Sequence, residues 1–109
     1  MPVPGLELPP ITLPSRTISW FVYVVRLPQS ANRDRVQAAL AERGIATGRY
    51  FPPIHLQPAW RSHSTQAPHL PLTESIARRT LALPFFNRIT PAQQVQVASA
   101  LGDALRLNI

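Results

Sequence analysis

Apolar positions in this chain fall into blocks of different spacing, and prolines separate the blocks. Ile18 to Leu27 (ISWFVYVVRL) runs almost without a polar interruption and is rich in β-branched and aromatic side chains. Such a run predicts a strand covered on both faces, at the centre of a sheet. Asn32 then offers a cap for a helix whose apolar stripe is Val36, Ala39 and Leu40, and Gly44 followed by Ile45 supplies a glycine stop. Ala46 to Phe51 predicts a second strand, which Pro52 and Pro53 end.

Periodicity is lost between His55 and Pro71, a stretch that holds Trp60, three histidines and three prolines. Loops of this length in compact domains are functional or disordered. Leu72 to Thr80 predicts a short helix with Thr73 as its cap, and Leu81 to Phe85 (LALPF) a short strand. Thr90, Pro91 and Gln93 provide a cap, a first-turn proline and a capping-box partner. Val97, Leu101 and Leu105 then recur at four-residue spacing along the last helix. The order β-α-β-loop-α-β-α predicts an α+β, sandwich-like fold in which helices pack on a small mixed β-sheet.

Residues 1–16 carry Pro2, Pro4, Pro9, Pro10 and Pro14, so they are expected to be extended, as a linker or a sheet edge. Residues 17–109 form one domain on this reading. A leader with no helix or strand of its own suggests a domain cut from a longer chain. At 109 residues there is room for a single core.

Charge narrows the chemistry. The 11 basic residues are all arginine, and five acids leave a formal charge of +6. There is no lysine, so no side chain here can form a Schiff base with a carbonyl cofactor or substrate. There is no cysteine either, which excludes disulfides, thiolate nucleophiles and cysteine-ligated zinc and fits a reducing compartment. The N-terminus lacks the charged start and apolar block of a secretory signal. The apolar run Trp20 to Val25 is too short to span a bilayer. A cytoplasmic protein without membrane contact is expected.

The most distinctive segment is Thr47 to Trp60, TGRYFPPIHLQPAW. Its prolines would hold His55 at a fixed distance from Tyr50 and Phe51, as suits a residue presented to a ligand rather than buried. Equally, Phe51, Ile54 and Leu56 would simply fill core while His55 caps a turn. Residue types alone leave both readings open.

The run GIATGRYFPPIHLQPAW, followed by LPLTESIARRTLALPFF and a helix after TPAQ, resembles the C-terminal region of the DegT/DnrJ/EryC1/StrS family of pyridoxal-phosphate-dependent sugar aminotransferases. The resemblance extends from about Gly5 onward and includes the SWFVYVVRL strand. It implies the small domain of a fold-type-I aminotransferase. The large domain would hold pyridoxal 5'-phosphate, the Schiff-base lysine and the acid that pairs with the pyridine nitrogen, which agrees with the missing lysine.

The parent enzyme would be a homodimer that moves an amino group from an amino acid, expected to be glutamate, to a keto-sugar nucleotide. Its setting would be amino-sugar or surface-polysaccharide biosynthesis. The resemblance carries Phe51, Pro53 and His55 over as residues facing the substrate, with His55 touching the sugar nucleotide or the amino donor. Tyr50 and Arg49 neighbour that motif. Arg49 offers a planar fork to a carboxylate or phosphate, against the alternative of a solvated arginine. In the family, LPFF is a strand that packs inward, so Phe85 and Phe86 are expected to be structural, and Arg78 and Arg79 to lie on a solvated helix face. No catalytic residue and no cofactor are expected in this chain alone.

Other chemistries find less support. His55, His63 and His69 match no compact metal-ligand spacing, and no acid lies between them. Neither a GxSxG elbow nor a glycine-rich phosphate loop is present. The competing function is a free-standing module for an anion or single-stranded nucleic acid, built on Arg49, Tyr50 and Phe51. Against it, the arginines are scattered from Arg16 to Arg106. A proline-peptide ligand and a domain that only dimerises are weaker readings.

A domain separated from its parent exposes the surface that met it, here expected around Leu56 and Trp60, and exposed apolar patches promote association. The chain should therefore self-associate. A strictly monomeric species at high concentration in light scattering would contradict this.

Overall fold

The computed structural model describes residues 3–62 and 69–108. Strand β1 (Tyr23–Arg26) pairs antiparallel with β2 (Thr80–Leu83), in a register that sets Tyr23 opposite Leu83 and Val25 opposite Leu81. Single bridges extend the ladder on both sides, from Glu7 to Arg26 and from Gly48 to Ala82. Each bridge is closed by two backbone hydrogen bonds of 2.8 to 3.1 Å.

The helices are α1 (Arg33–Glu42), α2 (Pro58–Arg61), α3 (Pro71–Ala77) and α4 (Pro91–Leu107), with a 3-10 turn at Ile54–Leu56. Because side chains alternate along a strand, Tyr23, Val25 and Leu27 share one face of β1 with Leu81 and Leu83 of β2. Val36 and Leu40 of α1 cover that face together with Ala100, Leu101, Ala104 and Leu105 of α4, and Ile45 completes the buried cluster. The result is two layers, helices on a sheet.

Local chemistry sets the helix ends. Asn32 accepts a bond from the Arg35 amide at the start of α1. At the other end the Gly44 amide donates to Ala41 O and the Ile45 amide to Leu40 O, both at 3.0 Å, which is the paired bond pattern of a Schellman stop. Gly44 has φ 74°, and the buried Ile45 and Leu40 are brought together behind it. Helix α4 opens on the expected box, in which Thr90 and Gln93 each accept the other's amide. The Asn32 amide donates to Asn108 O at 3.0 Å and so ties the beginning of α1 to the end of α4.

Several expectations need correction. The second strand, Ala46 to Phe51, shrinks to one bridge at Gly48, because beyond it Arg49 turns to side chains of α1 and Pro52 can donate no ladder bond. The sheet is antiparallel throughout the described residues rather than mixed. Gly48 runs in the same direction as β1, but β2 lies between them. The central strand keeps only its second half, and Phe21 is 76% exposed.

Helix α3 begins at Pro71 with Leu70 as its cap, so Thr73 lies inside the first turn. The last strand stops at Leu83, and Phe85 and Phe86 are half-exposed rather than turned inward. The segment from His55 onward contains a 3-10 turn and α2, while His63 and its neighbours to residue 68 lie outside the described residues. The proline-rich leader lies along the outer edge of β1, with Val3 and Leu6 packed against the core.

A Cβ added at Gly44 would meet nothing within 4 Å, so the cost of Gly44→Ala is purely that of the left-handed backbone, about 1–2 kcal/mol. Leu105→Ala, at a position with no exposure, should cost about 2–5 kcal/mol. Urea unfolding of both variants checks the size and the order.

Candidate functional site

The loop from Arg49 to Gln57 is folded by its own backbone. Leu56 and Gln57 amides donate to Pro53 O and Ile54 O, and the Gln57 side chain reaches back to Pro52 O at 2.8 Å. This closed loop turns Phe51 and Ile54 outward, to 71% and 72% exposure. With Pro53 and Trp60, which is 46% exposed, they border an open apolar groove of about 740 Å³ that also reaches Leu70. The reading in which Phe51 and Ile54 fill the core is excluded by their exposure.

His55 lies beneath this groove and is only 5% exposed, so the expectation that it is presented rather than buried is corrected. The 3-10 turn rotates its ring inward, toward α3. There Nε2 lies 3.5 Å from Glu74 Oε2, and it makes no hydrogen bond within the described residues. Glu74 in turn accepts from the Leu70 amide at 3.2 Å. A buried polar atom without a bond costs stability, on the order of 1–3 kcal/mol, and such atoms are uncommon in native proteins.

Sequence reasoning missed Glu74, although a signal was present. It is the only acid between Glu42 and Asp103, so any histidine–carboxylate pair in this region had to use it.

The other two anticipated site residues point elsewhere. The Tyr50 ring folds back across Gly48, where an added Cβ would stand 2.8 Å from Tyr50 Cζ. Tyr50 thereby borders a second groove, of about 550 Å³, with Phe21, Phe85, Phe86 and Ile89. That aromatic wall was not anticipated. Its signal was a strand too short to bury both ends of its aromatic block. Arg49 is bound by α1, through an ion pair with Asp34 and a 2.9 Å hydrogen bond from Nε to Gln37 Oε1. The structure thus groups Phe51, Pro53 and His55 and separates them from Arg49.

Among the described residues no cluster of three potential ligands could hold a metal ion, and no helix is long and apolar enough to cross a membrane.

The model of the DegT/DnrJ/EryC1/StrS aminotransferase family matches residues 3–102, and the chain belongs to that family. It is 34% identical over 102 residues to the dTDP-3-amino-3,4,6-trideoxy-alpha-D-glucose transaminase of Streptomyces venezuelae, covering 93% of this chain and 26% of the relative. It is 39% identical over 85 residues to the pleiotropic regulatory protein of Geobacillus stearothermophilus, covering 77% of this chain and 22% of the relative.

Among solved structures, the aminotransferase TlmJ from Streptoalloteichus hindustanus superposes with a TM-score of 0.82 at 30% identity. That superposition covers 96% of this chain and 27% of the other. The chain spans about a quarter of the length of the relatives it matches.

Burial separates the consequences of substitution. His55→Ala should lower stability by about 2 kcal/mol, because it opens a cavity and leaves Glu74 without its neighbour, whereas Phe51→Ala should stay within about 0.5 kcal/mol. Thermal melts followed by circular dichroism test the contrast; equal losses would refute this placement of the two side chains.

Proposed function

We propose that this chain is the C-terminal small domain of a cytoplasmic, homodimeric sugar-nucleotide aminotransferase. In the parent an amino group passes from an amino acid, glutamate in our reading, to a keto-sugar nucleotide destined for amino-sugar or surface-polysaccharide synthesis. The observation that carries this reading is the family match over residues 3–102 of a chain that contains no lysine.

Pyridoxal 5'-phosphate supplies electron withdrawal from the amino-bearing carbon when bound, and it requires a lysine amine as its covalent anchor. The residues present do not fit that requirement, so the cofactor belongs to the large domain and no chemical step is assigned to this chain. What remains for its residues is to shape and close the pocket. Phe51 and Pro53 supply an apolar wall that excludes water on closure. His55, under that wall, has a ring nitrogen with no hydrogen bond among the described residues, which a substrate or a group of the large domain would satisfy. Tyr50 sits at the edge of the same loop, whereas Arg49 is held away from this wall by Asp34 and Gln37.

Incubation of the purified chain with pyridoxal 5'-phosphate, glutamate and a keto-sugar nucleotide should yield no amino sugar. Borohydride reduction followed by mass spectrometry should find pyridoxyl label on the Met1 α-amino group at most. Cofactor-dependent turnover by this chain alone would overturn the proposal.

A further inference from the structure

Four arginines from three separate segments, Arg33, Arg49 and the neighbouring Arg78 and Arg79, line one depression of about 610 Å³. It lies between the start of α1, the segment after Gly48 and the end of α3. The basic residues that look scattered along the chain are therefore partly gathered by the fold. Asp34 is the only acid among the described residues on this wall, which leaves three positive charges uncompensated.

Structural duties account for some of this, but not for all of it. Arg33 donates through Nη1 to Ala77 O and, at 3.2 Å, to Thr80 O, and so covers the carbonyl end of α3. Arg79 donates from Nε to Leu27 O at 2.9 Å, which corrects the expectation of a solvated helix face for that residue. Each of these bonds uses only part of a guanidinium that carries five N–H donors.

Arg49 is held by Asp34 and Gln37. The Arg78 side chain is exposed at the cap of α3 and makes no hydrogen bond or ion pair to another described residue. A single cation is enough to complement a helix C-terminus; four around one hollow repel each other. Burial, and after it the Arg49 charge, push the Arg33 pKa below the usual arginine value, with Asp34 acting in the opposite sense.

We propose that this depression binds a small, multiply charged phosphate anion of the diphosphate class, with Arg78 as its free guanidinium and Arg33, Arg49 and Arg79 supplying the surrounding positive field. Planar guanidinium forks match phosphate oxygens two at a time, and a spread of anionic oxygens lets several forks engage at once. A monocarboxylate would leave most of the charge unanswered. None of Phe51, Pro53 and His55 lines this wall, so the site is separate from the groove assigned to the aminotransferase substrate.

Titration of the full chain with inorganic pyrophosphate at constant ionic strength, read by calorimetry and by NMR of the arginine side chains, tests the site without reference to any catalytic activity. Saturable one-to-one binding is expected. Arg78→Ala should weaken it about fivefold, and Asp34→Asn, which removes the competing carboxylate, should tighten it by a similar factor. Arg88→Ala, an exposed arginine off this wall, should change nothing.

Absence of saturation, or equal weakening by Arg78→Ala and Arg88→Ala, would overturn the proposal by reducing the effect to diffuse net charge. A single-stranded oligonucleotide that binds more tightly than pyrophosphate at the same ionic strength would overturn it in favour of a nucleic-acid surface.

Discussion

A ladder of two four-residue strands is marginal in water, so this fold depends on the apolar face that the ladder presents to its helices. Val25 and Leu81 stand opposite each other on that face, and Leu40 of α1 and Leu105 of α4 close over them. Everything else is positioned relative to this contact. The Asn32–Asn108 bond joins the two helices at one end, and the Gly44 turn sends the chain back to the sheet edge at Gly48. The loop from Arg49 to Gln57 starts from that edge, so its place is set by the core although few of its side chains enter it.

The loop divides its side chains by geometry. Two prolines and a 3-10 turn send Phe51 and Ile54 out while His55 goes in, and the same backbone produces an open apolar wall with a buried imidazole behind it. In the function proposed for this member of the DegT/DnrJ/EryC1/StrS family, which spans a quarter of its relatives' length, such a wall is one side of a pocket. The absence of lysine gives that view its chemical sense, because the covalent step of pyridoxal-phosphate catalysis has no residue here to perform it.

Elements whose signals are local were legible in the sequence. The capping box at Thr90, the Asn32 cap and the Gly44–Ile45 stop each depend on a few adjacent residues, and each forms as expected. Apart from the Thr73 cap, which falls inside the first turn of α3, the failures involve pairing and burial. Ala46 to Phe51 has the composition of a strand, but β-pairing needs a partner of matching length, and β2 offers only Ala82 to it. Phe85 and Phe86 have the composition of core, yet they follow the end of β2 and find no layer above them. The His55–Glu74 approach spans 19 positions and left no periodic trace that could announce it.

The sequence by itself determined where α1 and α4 start and where α1 stops, which residues form the α1 and α4 stripes, and that no imine-forming lysine is present. These follow from backbone conformation, 3.6-residue spacing and residue chemistry, none of which requires knowledge of the fold. Tertiary structure alone decided that His55 is buried against Glu74, that Arg49 is claimed by α1, and that arginines from three separate segments share one hollow. Burial and charge density are sums over neighbours brought together from remote parts of the chain, and those neighbours exist only once the sheet and its helices have closed on each other.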